Sequence, residues 1–435
     1  MDLNLPRLYK EYGIYSNYRN FPMDIDGLKP VERRVLLSAY KIARNSLVKS
    51  RQVDAYTIGH FHPHGECYGT IVQLVKQGFL IGQGNWGSTA GVEPVGAAAP
   101  RYTECKLHPK TIDLAFKYVK HVPWVDTELG DTEPLYLPTM FPVCLMGTDY
   151  SQGIGFGFKT YIPCYHVQDL HQRLLWLLGI RKRKPIIEPI TDLTILSTKQ
   201  ELDKLLTTGK AKIAVEGIIE INNRSNKVTL RSWPPGKRFQ SFLSKFSKEL
   251  SEGLIGYSDL SSGNETSIVF EVLRERNRDK IFKEFVEKIR EVLKGVISFD
   301  IVVVDTDQKV LTKPVDDMLL DTYKMFCSVN EKMLKYEIKK VQESIDEYRA
   351  LEVIRKPLSE CIKSGYSVPE SIVIITEETG VSTDVINFLI DKYRIKKLLT
   401  LDTDTSELEN KLRNFKHTLK NITEFVLEQY NDIVK

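Results

Sequence analysis

Two apolar seams near the C-terminus place the tightest constraint on how this 435-residue chain can fold. Leu334, Ile338, Val341, Ile345 and Tyr348 step by four and three, as one long helix with a single apolar stripe requires. Leu408, Leu412, Phe415, Leu419, Ile422, Val426 and Ile433 repeat the step, with only Gln429 out of pattern. Between the seams, residues 356–400 are broken by Pro357, Gly365, Pro369 and Gly380. The pattern predicts two long antiparallel helices carrying a small globular tip. An ordinary helical bundle would satisfy the same periodicity.

Upstream the pattern changes twice. Between 166 and 315, strands and helices mix: Ala214–Ile221 and Lys227–Leu230 flank an Asn-Asn-Arg-Ser-Asn turn, a hairpin signal. Ser267–Val272 and Ile297–Val304 read as further strands, with an amphipathic helix near 278–294. Up to about 165 the chain is rich in Gly, Pro, His and aromatic residues, which implies short helices and irregular loops. The expectation is an α+β multidomain chain with regions 1–165, 166–315 and 316–435.

Charge matters at this point. The overall +4 conceals an asymmetry: residues 1–120 hold 16 Lys or Arg against 10 Asp or Glu, a net of +6 that leaves −2 for the rest. A basic N-terminal part favours an anionic partner such as nucleic acid, although such an imbalance also arises by chance. The six cysteines show no C-x-x-C pair and read as free thiols of a reducing compartment. No apolar run approaches the ~20 residues that span a bilayer. The opening Met-Asp-Leu-Asn-Leu-Pro lacks the regions of a signal peptide, so a cytoplasmic location is expected.

Several motifs bear on chemistry. Pro30 suits the first turn of a helix with Val31, Val35, Ala39 and Ile42 as its buried stripe, while Arg34, Lys41 and Arg44 form a basic ridge for a phosphate backbone. Taken alone, the same ridge reads more readily as a solvated charged face. His60, His62 and His64 alternate and could ligate a metal if extended, but Pro63 and Gly65 argue for a turn, and imidazoles that donate to phosphate oxygens fit as well. Gly82-Gln-Gly84-Asn-Trp-Gly87 matches G-x-G-x-x-G but has no helix after it, so a dinucleotide site is rejected. Asp305-Thr-Asp307 and Asp402-Thr-Asp404 resemble acidic magnesium sites, yet lie where turns and caps are expected. Finally, Ala97-Ala-Ala-Pro-Arg101-Tyr102-Thr-Glu104 sets a phenol beside a guanidinium. With a pKa near ~10, a phenol used as a nucleophile at neutral pH costs roughly 4 kcal/mol, which nearby cations must offset.

Asp26-Gly-Leu-Lys-Pro-Val-x-Arg-Arg34, His62-Pro-His-Gly65, Gly82-Gln-Gly-Asn-Trp-Gly-Ser88, Ala97-Ala-Ala-x-Arg-Tyr-Thr-Glu104 and Gly153-Ile-Gly-x-Gly157 occur in the order seen in type IIA DNA topoisomerases. The chain resembles their breakage-reunion subunit: gyrase A, the C subunit of topoisomerase IV and the medium subunit of T-even phage topoisomerases. The motifs cover residues 19 to about 166, and the weaker Tyr393–Thr400 segment precedes the last helix. The resemblance implies a winged-helix DNA-gate domain, a mixed α/β tower, and a long antiparallel coiled coil with a small helical C-gate at 356–400. It implies that Tyr102 forms a 5′-phosphotyrosine link, that Arg101 stabilises the transition state, and that Arg19 is a further active-site arginine. Lys29, Arg33, Arg34, His62 and His64 match DNA-backbone contacts, and Ile154 matches an isoleucine that wedges between base pairs at a cost of a few kcal/mol.

Further expectations follow from the resemblance. No P-loop and no acidic metal triad is evident, so Mg²⁺ and ATP would be bound by a separate ATPase/TOPRIM subunit in an A₂B₂-type complex on double-stranded DNA. The chain itself would be a homodimer joined at the DNA gate and the C-gate, since one nucleophile cuts one strand. With no DNA-wrapping domain after the last helix, relaxation and decatenation without supercoiling are expected. Glu32 replaces a usual His, and Cys67 stands where gyrase has Ser in a segment two residues shorter, which implies weak quinolone sensitivity. The divergent motifs lean toward a phage or viral enzyme. Two rivals remain open: a catalytically inert DNA-binding protein on the same scaffold, and a metal nuclease using His60, His62 and His64.

Overall fold

The computed structural model describes residues 5–148, 150–235, 238–273 and 276–434; the first four, part of the stretch read for a signal peptide, lie outside them. The architecture is α+β and multidomain, with several sheets and one helix of 49 residues, Val315–Lys363. It divides into two compact units, residues 1–326 with 430–435, and residues 327–429.

In the first unit, Glu104–Leu107 is the central strand between Val48–Lys49 and Leu80–Gln83. The helices Pro30–Ile42, Ser50–His60 and Tyr68–Lys76 pack on one another beside this sheet. Pro30 sits in the first turn, where a missing N–H costs nothing, and Val35 and Ala39 are fully buried; Val31 and Ile42 are only partly so. A five-stranded sheet runs in the order Ser151–Ile154, Lys159–Ile162, Lys294–Asp300, Lys210–Glu216, Thr194–Ile195. A four-stranded sheet runs Ile219–Asn222, Lys227–Leu230, Ile268–Val272, Ile255–Asp259, and its first pair is the expected hairpin.

Two expected strands are each divided. The run from Ala214 changes sheet at Gly217-Ile218, where a Cβ on Gly217 would lie 2.4 Å from the Ser232 carbonyl oxygen. The run from Ile297 breaks at Ile301, whose N–H donates to Gly209 and whose carbonyl accepts from Lys313 instead of continuing one ladder. Alternation of apolar residues carries no mark of either switch. The helix between them spans Arg278–Leu293 and buries Phe282, Phe285, Ile289 and Leu293.

Within the second unit the two seams meet. Val341, Ile345 and Leu412 form a buried cluster with Ile338, Leu408 and Phe415. Gln429 bonds Asn330 at 3.1 Å and Arg349 bonds Glu409 at 2.8 Å, so the helices run antiparallel. Gln429, the position out of pattern, is thereby matched to a buried polar partner. The first helix does not stop at Pro357 but continues to Lys363, because Leu351, Ile354 and Leu358 are buried against Ile372, Ile375, Ile386, Leu389 and Leu398. That burial outweighs the lost hydrogen bond of a mid-helix proline. The returning segment is two helices, Ser406–Lys420 and Ile422–Val434, parted at Asn421, whose side chain turns back to His417. Among the described residues no helix is long and apolar enough to cross a membrane, and the cysteines are free thiols.

Candidate active site

The Asp26–Lys29 turn is held from inside. Asp26 is fully buried and accepts from the Leu28 and Leu137 N–H groups, each at 3.0 Å. Arg33, on the following helix, meets both Asp26 oxygens at 2.8 and 3.2 Å and donates to the Leu28 carbonyl. Gly27 takes φ +68°, and a Cβ there would lie 2.5 Å from the Val143 nitrogen, so the motif needs glycine. Glu32 is buried too; it accepts the Lys29 N–H at 2.9 Å, and burial pushes its carboxyl above the usual range. Arg33 thus points inward and does not present its guanidinium to solvent.

Arg34 is likewise not displayed on an exposed ridge. It makes a two-point pair with Glu133, both contacts 2.8 Å, and lies 3.2 Å from His62 Nδ1. The other two ridge cations lie against rings, Lys41 on Phe61 and Arg44 on Tyr40. Arg19, Arg34, His62 and His64 nevertheless converge, lining a cavity of about 140 Å³ with Tyr15, Tyr18 and Glu128. The helix Leu5–Asn20 delivers Tyr15, Tyr18 and Arg19; the turn after Ser50–His60 delivers the two histidines. His64 Nε2 is 2.6 Å from the Tyr15 hydroxyl. Burial, and then the positive charges of Arg34 and Arg19, push His62 down to about 4 and lower His64 as well. Both imidazoles are therefore neutral at pH 7, and because Arg34 donates to Nδ1, the His62 proton is assigned to Nε2.

His60 stands apart. It ends its helix and pairs with Asp131 at 2.9 Å. Among the described residues no group of three or more His, Cys, Asp or Glu is placed to hold a metal ion. Asp305 closes a hairpin turn by accepting the Asp307 and Lys309 N–H groups at 2.9 Å. Asp402 and Asp404 likewise accept from the Asp404 and Ser406 N–H groups just ahead of the helix Ser406–Lys420. These side chains do not fit a Mg²⁺ site.

Tyr102 lies outside the histidine cavity, on the connection between Leu80–Gln83 and Glu104–Leu107. Its side chain is 63 % exposed, while its backbone is pinned. The Tyr102 N–H donates to Ala99, Arg51 N–H to Pro100, and Ser50 N–H to Thr103. Thr103 is fully buried and bonds Ser50 Oγ at 2.8 Å and the Tyr68 hydroxyl at 3.0 Å. The Arg101 guanidinium carbon lies 4.5 Å from the centroid of the Tyr102 ring. A solvent-facing phenol on a fixed backbone beside a permanent cation is suited to attack an electrophile brought from outside.

Ile154 is 82 % exposed at the tip of the hairpin Ser151–Ile154/Lys159–Ile162, flanked by the half-exposed Phe156 and Phe158. The Gly153-Ile-Gly-x-Gly157 pattern has a steric reason. A Cβ on Gly153 would lie 2.2 Å from the Asn20 carbonyl oxygen, one on Gly155 2.2 Å from Asn17 Oδ1, and Gly157 takes φ +78°. Asn17 holds both the N–H (2.6 Å) and the carbonyl (3.3 Å) of Phe156. Lys29 Nζ donates to the Gln152 carbonyl at 2.6 Å, bracing the same hairpin. Sequence reasoning missed Tyr15, Asn17, Glu128 and Glu133; the i, i+4 spacing of Tyr15 and Arg19 was the one local signal available.

The family model for the A subunit of DNA gyrase/topoisomerase IV matches residues 19–435. The DNA gyrase A subunit of Mycolicibacterium smegmatis is 28% identical over 294 residues, covering 61% of this chain and 34% of that protein. The DNA gyrase A subunit of Neisseria gonorrhoeae is 37% identical over 174 residues, 37% of this chain and 18% of that protein. The DNA topoisomerase 4 A subunit of Haemophilus influenzae is 33% identical over 232 residues, 47% of this chain and 30% of that protein. The matched part of this chain spans about a third or less of the length of these curated relatives. With its motifs in order and a family match from Arg19 to the last residue, the chain belongs to the family of DNA gyrase and topoisomerase IV A subunits.

Proposed function

We propose that this chain is the strand-cleaving and rejoining subunit of an ATP-dependent type IIA DNA topoisomerase, with Tyr102 as nucleophile. The exposed phenol on its pinned backbone, with Arg101 against the ring, is the observation that carries the reading. The Tyr102 oxygen attacks a backbone phosphorus, the bond to the 3′ oxygen breaks, and the phenolic proton is passed to the departing 3′-hydroxyl. The phosphodiester energy is kept in a 5′-phosphotyrosine bond, so the reverse attack rejoins the strand without an external energy source. Arg101 offsets charge on the phenolate and on the pentavalent phosphorus.

Arg19, His62 and His64 form a second set of groups, aimed at backbone phosphate, with the neutral imidazoles as hydrogen-bond donors. Arg33 and Arg34 serve this surface from behind, through Asp26 and Glu133, and Lys29 through the hairpin. Ile154 is the wedge that enters the base stack. In this reading residues 10–165 hold the winged-helix DNA gate, 166–315 the tower, and 316–435 the coiled coil and C-gate. Exposed Tyr366, Val373 and Phe388 at the tip support a self-association surface there. Two copies cut the two strands. In this reading Mg²⁺ and ATP are bound by a partner ATPase/TOPRIM subunit, as the resemblance implies; the metal would supply charge neutralisation at the phosphate when bound there.

The test is to mix the chain with a candidate partner subunit, Mg²⁺, ATP and supercoiled plasmid, then denature with SDS. The expected product is protein covalently attached to DNA 5′ ends, absent in Tyr102→Phe. Free ends, or unaltered activity in Tyr102→Phe, would sink the proposal.

A further inference from the structure

The segment that leads into Tyr102 is tied down at a place the proposed chemistry does not use. Ser88 and Val95 pair through two backbone hydrogen bonds of 2.8 Å, closing a small loop that projects from the Leu80–Gln83/Glu104–Leu107 connection. The outer edge of this loop lies on the hairpin Ile255–Asp259/Ile268–Val272. Val92 N–H donates to Asp259 Oδ2 at 2.8 Å, Ser88 Oγ donates to the Gly263 carbonyl at 2.5 Å, and Gly91 N–H reaches Thr266 Oγ1 at 3.4 Å. The Val92 side chain packs against the cluster that contains Ile255 and Phe270. Gly91 takes φ +85°, and a Cβ there would lie 2.8 Å from Asp259 Oδ2. The loop is therefore built for this approach. Asp259 Oδ1 meanwhile accepts the Ser261 N–H at 3.0 Å, so one carboxylate orders its own turn and grips the loop.

The inner edge of the loop is continuous with the nucleophile. Gly87, at φ +76°, lies so close to the strand opposite that a Cβ would be 2.4 Å from the Val95 carbonyl oxygen and 2.8 Å from the Ala97 nitrogen. Ala98 N–H donates to Asn85 at 2.9 Å, and the Tyr68 hydroxyl donates to the Ala98 carbonyl. From Asp259 to Tyr102 there is thus an unbroken path of close contacts.

We propose that the hairpin Ile255–Asp259/Ile268–Val272 is a tether for the cleaving segment, and that Asp259 is a positioning residue for Tyr102. The proposal rests on the reading of Tyr102 as nucleophile and adds to it a second, distant determinant of its placement. Reacting groups must be held to within fractions of an ångström, and a misplacement of about 1 Å costs on the order of a hundredfold in rate. Loss of the carboxylate grip should act at that level without touching DNA.

The experiment compares wild type, Asp259→Ala, Asp259→Asn, Ser88→Ala and the double variant Ser88→Ala/Asp259→Ala as full chains with the partner subunit. Amide exchange of residues 88–95 is expected to speed up about tenfold in Asp259→Ala. The rate of covalent adduct formation should fall on the order of ten- to a hundredfold, with DNA affinity and melting temperature unchanged. Asp259→Asn, which keeps one acceptor oxygen, should lie between the two. Ser88→Ala, which cuts the tether from the loop side, should reproduce the defect and add little to Asp259→Ala. Adduct formation by Asp259→Ala at the wild-type rate overturns the tether while leaving the nucleophile intact. No adduct in wild type overturns the reading of Tyr102, and the exchange measurement then decides the tether alone: unchanged protection of residues 88–95 overturns it.

Discussion

Removing the Asp26 carboxylate tests whether Arg33 is an internal support or a DNA contact. The pair is buried, with 4 % of the Arg33 side chain and none of Asp26 exposed, and Asp26 also accepts two backbone N–H groups. In Asp26→Ala the guanidinium is stranded without its counter-ion. Breaking a buried pair from one side costs about 3–5 kcal/mol, far more than the 0–1 kcal/mol of a surface bridge. Urea titration followed by circular dichroism measures the loss. The double variant Asp26→Ala/Arg33→Met removes the stranded charge and should recover part of it, while the Leu28 and Leu137 N–H groups stay without their acceptor. DNA affinity of the double variant is then measured against salt. A lost phosphate contact would lower the slope of log K against log salt by about 1; an internal support leaves it unchanged. A loss below about 1 kcal/mol in Asp26→Ala, or a reduced salt slope in the double variant, would refute the reasoning.

His62 carries a pH prediction: its folded pKa of about 4 lies below the ordinary 6.5. The stability from keeping this imidazole neutral is full above about pH 6.5 and is lost as pH falls toward 4, about 3 kcal/mol in all; His62→Gln should flatten that acid limb in urea melts. Ile154→Ala, at a site 82 % exposed, should change stability by less than about 0.5 kcal/mol while reducing DNA bending measured by end-to-end energy transfer. Unaltered bending would remove the wedge assignment. Cys67 is buried with its N–H on Asp54 (2.7 Å), and burial pushes its thiol up to about 12. Quinolones at ordinary gyrase-inhibiting concentrations should not raise cleavage, and drug-stimulated cleavage there would contradict the expected weak quinolone sensitivity.

Local regularity was legible in the sequence wherever one physical constraint acted alone. The seam at Leu334–Tyr348 with its partner stretch Leu408–Phe415, the hairpin around residues 223–226 and the helix Arg278–Leu293 each follow from a single period or turn preference; the break of the second seam at Asn421 does not. What failed to show was determined by distant partners. Pro357 looked like an end, yet three buried apolar residues around it carry the helix onward. Arg34 looked like part of a displayed basic ridge because nothing near it in sequence announces Glu133, and the inward turn of Arg33 depends on how the preceding turn places Asp26. The motif glycines were visible as a pattern, but their reason is the close approach of Asn17, Asn20 and Val143. The grouping of Arg19 with the histidines was likewise invisible, since it depends on where the first helix lies.

That first helix ends in a turn with two tasks. Asn17 and Asn20 press on the hairpin that exposes Ile154, and between them in sequence stands Arg19, a wall of the histidine cavity. Both features are therefore referenced to one rigid turn, like two jaws of a single caliper. If Ile154 marks where the duplex kinks and Arg19 where a phosphate is gripped, the interval between kink and grip is a constant of the protein. It would be counted in base pairs and would not change with the DNA sequence that happens to lie between them.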